Sequence, residues 1–183
     1  MCRYAMKSYK SHYACFKCRK TFKRKNMLDI KQDNSEPKEA KCPQCGELMA
    51  NIGLDFAAPK KDNIKEWKHL KDLYSVGIAF HSCGCGGPGY IPKDKNALIA
   101  HLEEILSGYN KQLAFWRKRI EPSTERERQR EMSKHLDNIS RVPYDLRPGK
   151  GTIKNEDAKN YWLGKIKEVD QKISKLSSKR GAY

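Results

Sequence analysis

Two short cysteine pairs, Cys15-Phe16-Lys17-Cys18 and Cys42-Pro43-Gln44-Cys45, are the residues best suited to chemistry in this 183-residue chain. Each C-x-x-C sets two sulfurs on one tight turn, within reach of a single ion. Two such turns together offer four thiolates in a tetrahedron, which Zn²⁺ accepts at Zn–S distances of about 2.3 Å. In the second pair proline presets the turn, and Gly46 can take the positive φ needed to leave it. A four-thiolate site is closed: it keeps no position open for substrate or water and so serves structure rather than turnover.

A second cluster, His81-Ser82-Cys83-Gly84-Cys85-Gly86-Gly87-Pro88-Gly89, supports three readings. His81, Cys83 and Cys85 can form part of a second metal site with a distant ligand such as Cys2 or His12. Cys83 and Cys85 can form a reactive thiol pair for redox or sulfur-transfer chemistry. They can also be unliganded small residues in a loop that packs against the knuckles. The motifs of P-loop enzymes, dinucleotide-binding folds, G-x-S-x-G hydrolases, H-E-x-x-H metalloproteases and zinc deaminases are all missing, so the sequence makes no positive case for an enzyme.

The paired knuckles resemble those of the zinc-ribbon superfamily, over residues 13–56 and on Cys15, Cys18, Cys42 and Cys45 alone. That resemblance implies a small β module built around zinc; the superfamily includes ribosomal proteins, transcription factors and nucleic-acid enzymes. Rubredoxins share the cysteine pattern and hold iron, but Arg19 stands where a rubredoxin knuckle usually has glycine, and the surroundings are basic.

Charge points to the partner. The chain carries 38 Lys and Arg against 22 Asp and Glu, a net +16, with a pI of about 9.6. Residues 1–31 alone hold seven Lys and three Arg against Asp29. Aromatic residues interleave with these cations, an arrangement suited to single-stranded nucleic acid, where rings stack on bases and cations meet phosphates. Lys10, Tyr13, Lys17, Arg19, Lys20, Lys23 and Arg24 are the candidate contacts, with RNA or the ribosome favoured. The plainer reading of the same pattern is a half-buried strand whose aromatics cover a small core.

These residues need elements to hold them. Tyr9, Ser11 and Tyr13 alternate with Lys10 and His12 at strand period, and Leu48 to Phe56 supply further strand residues. Asn63 and Glu66 have capping-box spacing, and Ile64, Trp67, Leu70, Leu73 and Tyr74 form one stripe of a helix ending near Gly77. Ile78 to Phe80 can return as a strand. With Asp94 as N-cap, Leu98, Leu102, Ile105, Tyr109, Leu113, Trp116 and Ile120 predict one helix over 94–120, crossing Gly108. Thr124 and Glu127 open a charged helix to about Ser140, where only Met132, Leu136 and Ile139 can dock. Trp162, Ile166, Val169, Ile173 and Leu176 predict a last helix over 155–177, paired antiparallel with helix 94–120.

The expected fold class is α+β: a zinc-ribbon domain over 1–92 with one helix, then a helical domain over 93–183. No apolar run approaches the roughly 20 residues of a membrane helix, and no signal-peptide core is present, so a cytoplasmic protein with reduced thiols is expected. The expected function is nucleic-acid binding through the basic N-terminal face. The alternatives are a thiol or sulfur-transfer enzyme using Cys83 and Cys85, or an adaptor that takes a protein partner through its helical half.

Overall fold

The computed structural model describes residues 10–25, 39–81, 87–147 and 153–178. The chain divides into two compact units, Met1–Leu98 and Ile99–Tyr183. The fold class is α+β, a small antiparallel sheet followed in the chain by four helices.

In the first unit, β1 (Lys10–Cys15) is the central strand, flanked by β2 (Lys20–Lys25) and β3 (Ala50–Gly53). Both neighbours run antiparallel to it. Period two then sorts the side chains. Ala14 joins Ala50, Ile52, Phe56, Trp67 and Leu70 in one buried cluster, which takes in helix α1 (Ile64–Ser75). Tyr13 and Cys15 join Cys42 and Met49 in another. Trp67 donates its ring N–H to the Lys60 carbonyl at 3.1 Å, so the largest side chain of the helix is buried with its donor satisfied.

The Ile78–Phe80 return is a bridge rather than a full strand. Gly53 pairs in parallel with Phe80, and the Phe80 N–H donates to the Ile52 carbonyl at 2.6 Å. Glycine is required there twice over. Its φ is +108°, and a Cβ would lie 2.3 Å from the Phe80 carbonyl oxygen. The same spot is where β3 slips register against β1, between His12 and Tyr13.

The stripe on α1 is narrower than its sequence predicts. Trp67, Leu70 and Leu73 are buried, whereas Ile64 and Tyr74 are 51% and 41% exposed. The three buried positions suffice to cover a sheet of three short strands. Asn63 caps α1 as expected, accepting from the Glu66 N–H at 3.2 Å.

Among the helices, α2 (Lys95–Lys118) begins after Asp94, whose carboxylate accepts from the Ala97 N–H at 2.8 Å. It passes Gly108 without a break but stops short of Ile120, which is 89% exposed. Pro122 drives the preceding residue out of helical geometry, so the stripe outlasts the helix. In the second unit, α2 packs on α4 (Asn155–Ser178). Asn155 donates to the Arg119 carbonyl at 2.7 Å, and the Tyr109 and Trp162 rings lie 5.3 Å apart, so the two helices run antiparallel. Leu113, Trp116, Ile139, Val142, Ile153, Ala158 and Trp162 form the shared core.

The helix α3 (Glu125–Ser140) opens with the full Thr124–Glu127 capping box. Of its three apolar residues only Ile139 is buried; Met132 and Leu136 are 46% and 56% exposed. Beyond Ile139 in the shared core, its attachment is polar. Glu131 forms an ion pair with Arg119, whose side chain is 4% exposed.

Candidate metal centre

The two knuckles sit on matched hairpin turns. Cys15 closes β1 and Cys18 lies in the turn before β2, with the Cys18 N–H donating to Cys15 Sγ at 3.4 Å. Cys42 and Cys45 lie between Lys41 and Leu48, which bridge antiparallel. There the Gly46 N–H donates to the Cys42 carbonyl at 2.9 Å, and the Cys42 N–H to the Glu47 carbonyl at 2.8 Å. The residue after each knuckle takes the left-handed conformation: Gly46 at φ +74°, and Arg19 at φ +50°. An arginine is thus held where glycine is the easier choice, and its Nε donates to the Lys61 carbonyl at 2.9 Å.

The four sulfurs of Cys15, Cys18, Cys42 and Cys45 lie within 4.8 Å of one another. Cys15 and Cys45 are 3.5 Å apart, and all four cysteines are free thiols. A tetrahedron with metal–sulfur bonds of about 2.3 Å has edges of about 3.8 Å, so the donor set fits one ion. Cys15 and Cys42 are buried, and Cys18 and Cys45 are half-buried.

Electrostatics within the cluster ask for a cation. Burial raises the Cys42 thiol, but the Gln44 and Cys45 backbone N–H groups and the Cys15 and Cys45 thiols outweigh it, lowering Cys42 to about 7. The hydrogen bond to Cys45 first, then burial and the other thiols, push Cys18 up to about 12. Burial raises Cys15 as well. Cys42 ionises readily while Cys15 and Cys18 resist, as expected where several anions would share a site without a counter-ion.

The proposed nucleic-acid residues have separate surroundings. Lys10, Lys20, Lys23 and Arg24 are exposed. Arg24 donates to the Lys41 carbonyl at 3.1 Å. Lys17 pairs with Glu47 at 3.2 Å in the open, and that carboxylate raises its pKa ahead of the Cys45 thiol. Tyr13 is nine-tenths buried beside Cys15, Cys42 and Met49, which favours the half-buried strand over a ring that stacks on bases. The β1–β2 register places Lys23 opposite His12 and Lys20 opposite Cys15. Lys20 and Lys23 therefore point to opposite faces of the hairpin rather than one.

His81 is exposed just beyond Phe80, while Cys2, Cys83 and Cys85 lie outside the described residues. Among the described residues the knuckles are the one group of cysteine, histidine and acidic side chains arranged to hold a metal. Sequence reasoning missed two features. One is the Arg119–Glu131 pair. The other is a cleft of about 640 Å³ in the first unit, walled by Phe16 and Tyr74. Neither has a local signature, because each joins residues from different elements.

No protein-family model matches the chain, nor does any curated protein or solved structure compared with it. The likeness to zinc ribbons rests on the four cysteines and the turns that carry them.

Proposed function

We propose that this chain is a zinc-stapled binding module, cytoplasmic, that engages nucleic acid, with RNA or the ribosome favoured. The ion is zinc because four thiolates in a closed set suit a borderline-soft, redox-inert dication. Its role is to fix the two knuckles, and with them the β1–β2 hairpin.

The observation that carries the reading is the exposure of Lys10, Lys20 and Lys23 on that hairpin. None of the three has an ion-pair partner among the described residues. With Arg24 they offer four cations to phosphates. Counterion release then gives log K against log salt a slope of about −3 on single strands, at roughly −0.7 per contact. Reversing Lys20, Lys23 and Arg24 to Glu should weaken binding to every sequence alike and flatten that slope, since phosphate contacts position without reading bases. Titrations of single-stranded RNA, duplex RNA, DNA and intact ribosomes at several salt concentrations test this. Binding no tighter than that of any basic protein, or indifference to the reversals, overturns it.

One observation favours a second reading, an adaptor working through the helices. Met132 and Leu136 stand exposed four residues apart on α3, the spacing of a docking stripe. Salt-insensitive association with a protein, and no bound nucleic acid, would select it. The thiol-transfer alternative rests on Cys83 and Cys85, which the described residues do not include.

A further inference from the structure

The first unit contains a cleft of about 640 Å³ whose walls are aromatic. Phe16, inside the first knuckle, and Tyr74, near the end of α1, meet in a tilted contact, ring centroids 6.0 Å apart at 49°, and together form one aromatic wall. Tyr13 and Met49 line the buried side. Leu48, where the chain leaves the second knuckle, also lines the cleft and is 58% exposed. An apolar cleft of this size falls in the range that holds small ligands.

Its polar groups are few and of definite kinds. Lys71 lies one turn before Tyr74 on α1, lines the cleft, is exposed and has no partner among the described residues. Asn51 accepts from the Gly53 N–H at 3.2 Å through Oδ1, so its amide nitrogen remains a donor. Glu39 supplies an exposed carboxylate. A π-face, an amide donor, a carboxylate acceptor and an adjacent ammonium match the parts of a nucleotide. The base stacks, its edge has donors and acceptors for Asn51 and Glu39, and its phosphate meets Lys71. The charge of the unit agrees: residues 1–98 hold 19 Lys and Arg against 10 Asp and Glu.

We propose that this cleft takes an unpaired nucleobase of a single strand, stacked on Tyr74 and Phe16, with Lys71 on the neighbouring phosphate. The inference rests on the nucleic-acid reading above and deepens it, moving base contact from Tyr13 to a pair of rings 58 positions apart in the chain. Because Phe16 belongs to a knuckle, the stacking wall is held in place by the same turn that holds metal.

The test uses the full-length, metal-loaded protein and a fluorescein-labelled oligouridine of about 12 nucleotides, within the usual site size for single strands. Anisotropy is read for the wild type, Tyr74→Ala, Tyr74→Phe and Lys71→Glu, with metal content and circular dichroism confirming each fold. Tyr74→Ala should weaken binding about 5- to 150-fold, the loss of one stacked base, while Tyr74→Phe keeps the affinity. The same strand made abasic should bind the wild type more weakly by a similar factor, yet lose nothing further on Tyr74→Ala. A deoxy strand should show the same Tyr74 dependence, and any preference between the two identifies RNA or DNA as the source. If Tyr74→Ala binds oligouridine like the wild type while Lys20→Glu with Lys23→Glu weakens it, the cleft proposal falls and the basic-hairpin reading stands. If the wild type binds neither strand, or the cleft captures a peptide instead, both fall.

Discussion

Arg119 donates from Nε and Nη2 to both carboxylate oxygens of Glu131, at 2.5 and 2.8 Å. The pair is almost wholly enclosed, with the two side chains 4% and 13% exposed. The remaining nitrogen, Nη1, donates to the Ile153 carbonyl and to Asn155 Oδ1, both at 2.7 Å, and the guanidinium carbon sits 4.9 Å from the Trp116 ring centre. One side chain thus joins the end of α2, the middle of α3 and the start of α4. Removing a single partner leaves a buried charge uncompensated, at a cost of about 3–5 kcal/mol. Glu131→Ala should lower the denaturant midpoint accordingly, and Arg119→Lys, with Glu131 in place, should lower it too, because an ammonium cannot make the fork. A midpoint unchanged in Glu131→Ala would rule this role out.

Cys42→Ser should release the ion and unfold the first unit, since a structural zinc site contributes on the order of 10 kcal/mol to small modules. Elemental analysis should find one zinc per knuckle set in the wild type and none in the variant. A variant that retains full metal content and an unchanged melt would refute the assignment.

Metal loading should be coupled to protons. Only thiolates bind the ion, and Cys15 and Cys18 keep their protons at neutral pH, whereas Cys42 ionises at about 7. Entry of a metal ion therefore expels protons from Cys15 and Cys18, and acid drives the ion off. Cys42 acts in the same direction in the metal-free chain. Its pKa is lowered from 9.0, so its contribution to stability is complete above pH 9 and is lost as the pH falls through 7. Calorimetric zinc titrations in buffers of different ionisation enthalpy count the protons. Fewer than two released near neutrality would contradict the thiol electrostatics.

Gly46 and Gly53 should respond unequally to alanine. Both have positive φ, but a Cβ on Gly46 meets nothing within 4 Å, while one on Gly53 strikes the Phe80 backbone. Gly46→Ala should cost about 1 kcal/mol from backbone conformation alone. Gly53→Ala should cost roughly 3 kcal/mol or more, because backbone and not a pliable side chain must move. Thermal melts of the two variants that coincide would count against the Gly53–Phe80 bridge.

Much of this was legible in the sequence because it is written locally. The C-x-x-C turns, the Asn63, Asp94 and Thr124 caps, and the three- and four-residue steps that bring Trp116 and Trp162 together each lie within one element. What escaped depends on distant partners. Arg119 and Glu131 belong to segments so rich in charge that each reads as a solvated face, and only the fold encloses them. Tyr74 continues the α1 stripe by spacing, yet the sheet beneath is too small to cover it. Tyr13, set among cations, stands out as an aromatic contact, although its strand turns it inward.

The order of the sheet has one more consequence. β3 does not end the sheet bare, since Gly53 pairs onward with Phe80. Among the described residues β2 has no strand beyond it, which leaves one side of its backbone without a strand partner. A second copy of the chain approaching that side would bring its own Lys20, Lys23 and Arg24 against those already there, and like charges at close range keep the strands apart. The basic side chains of this described edge thus disfavour pairing with a second copy.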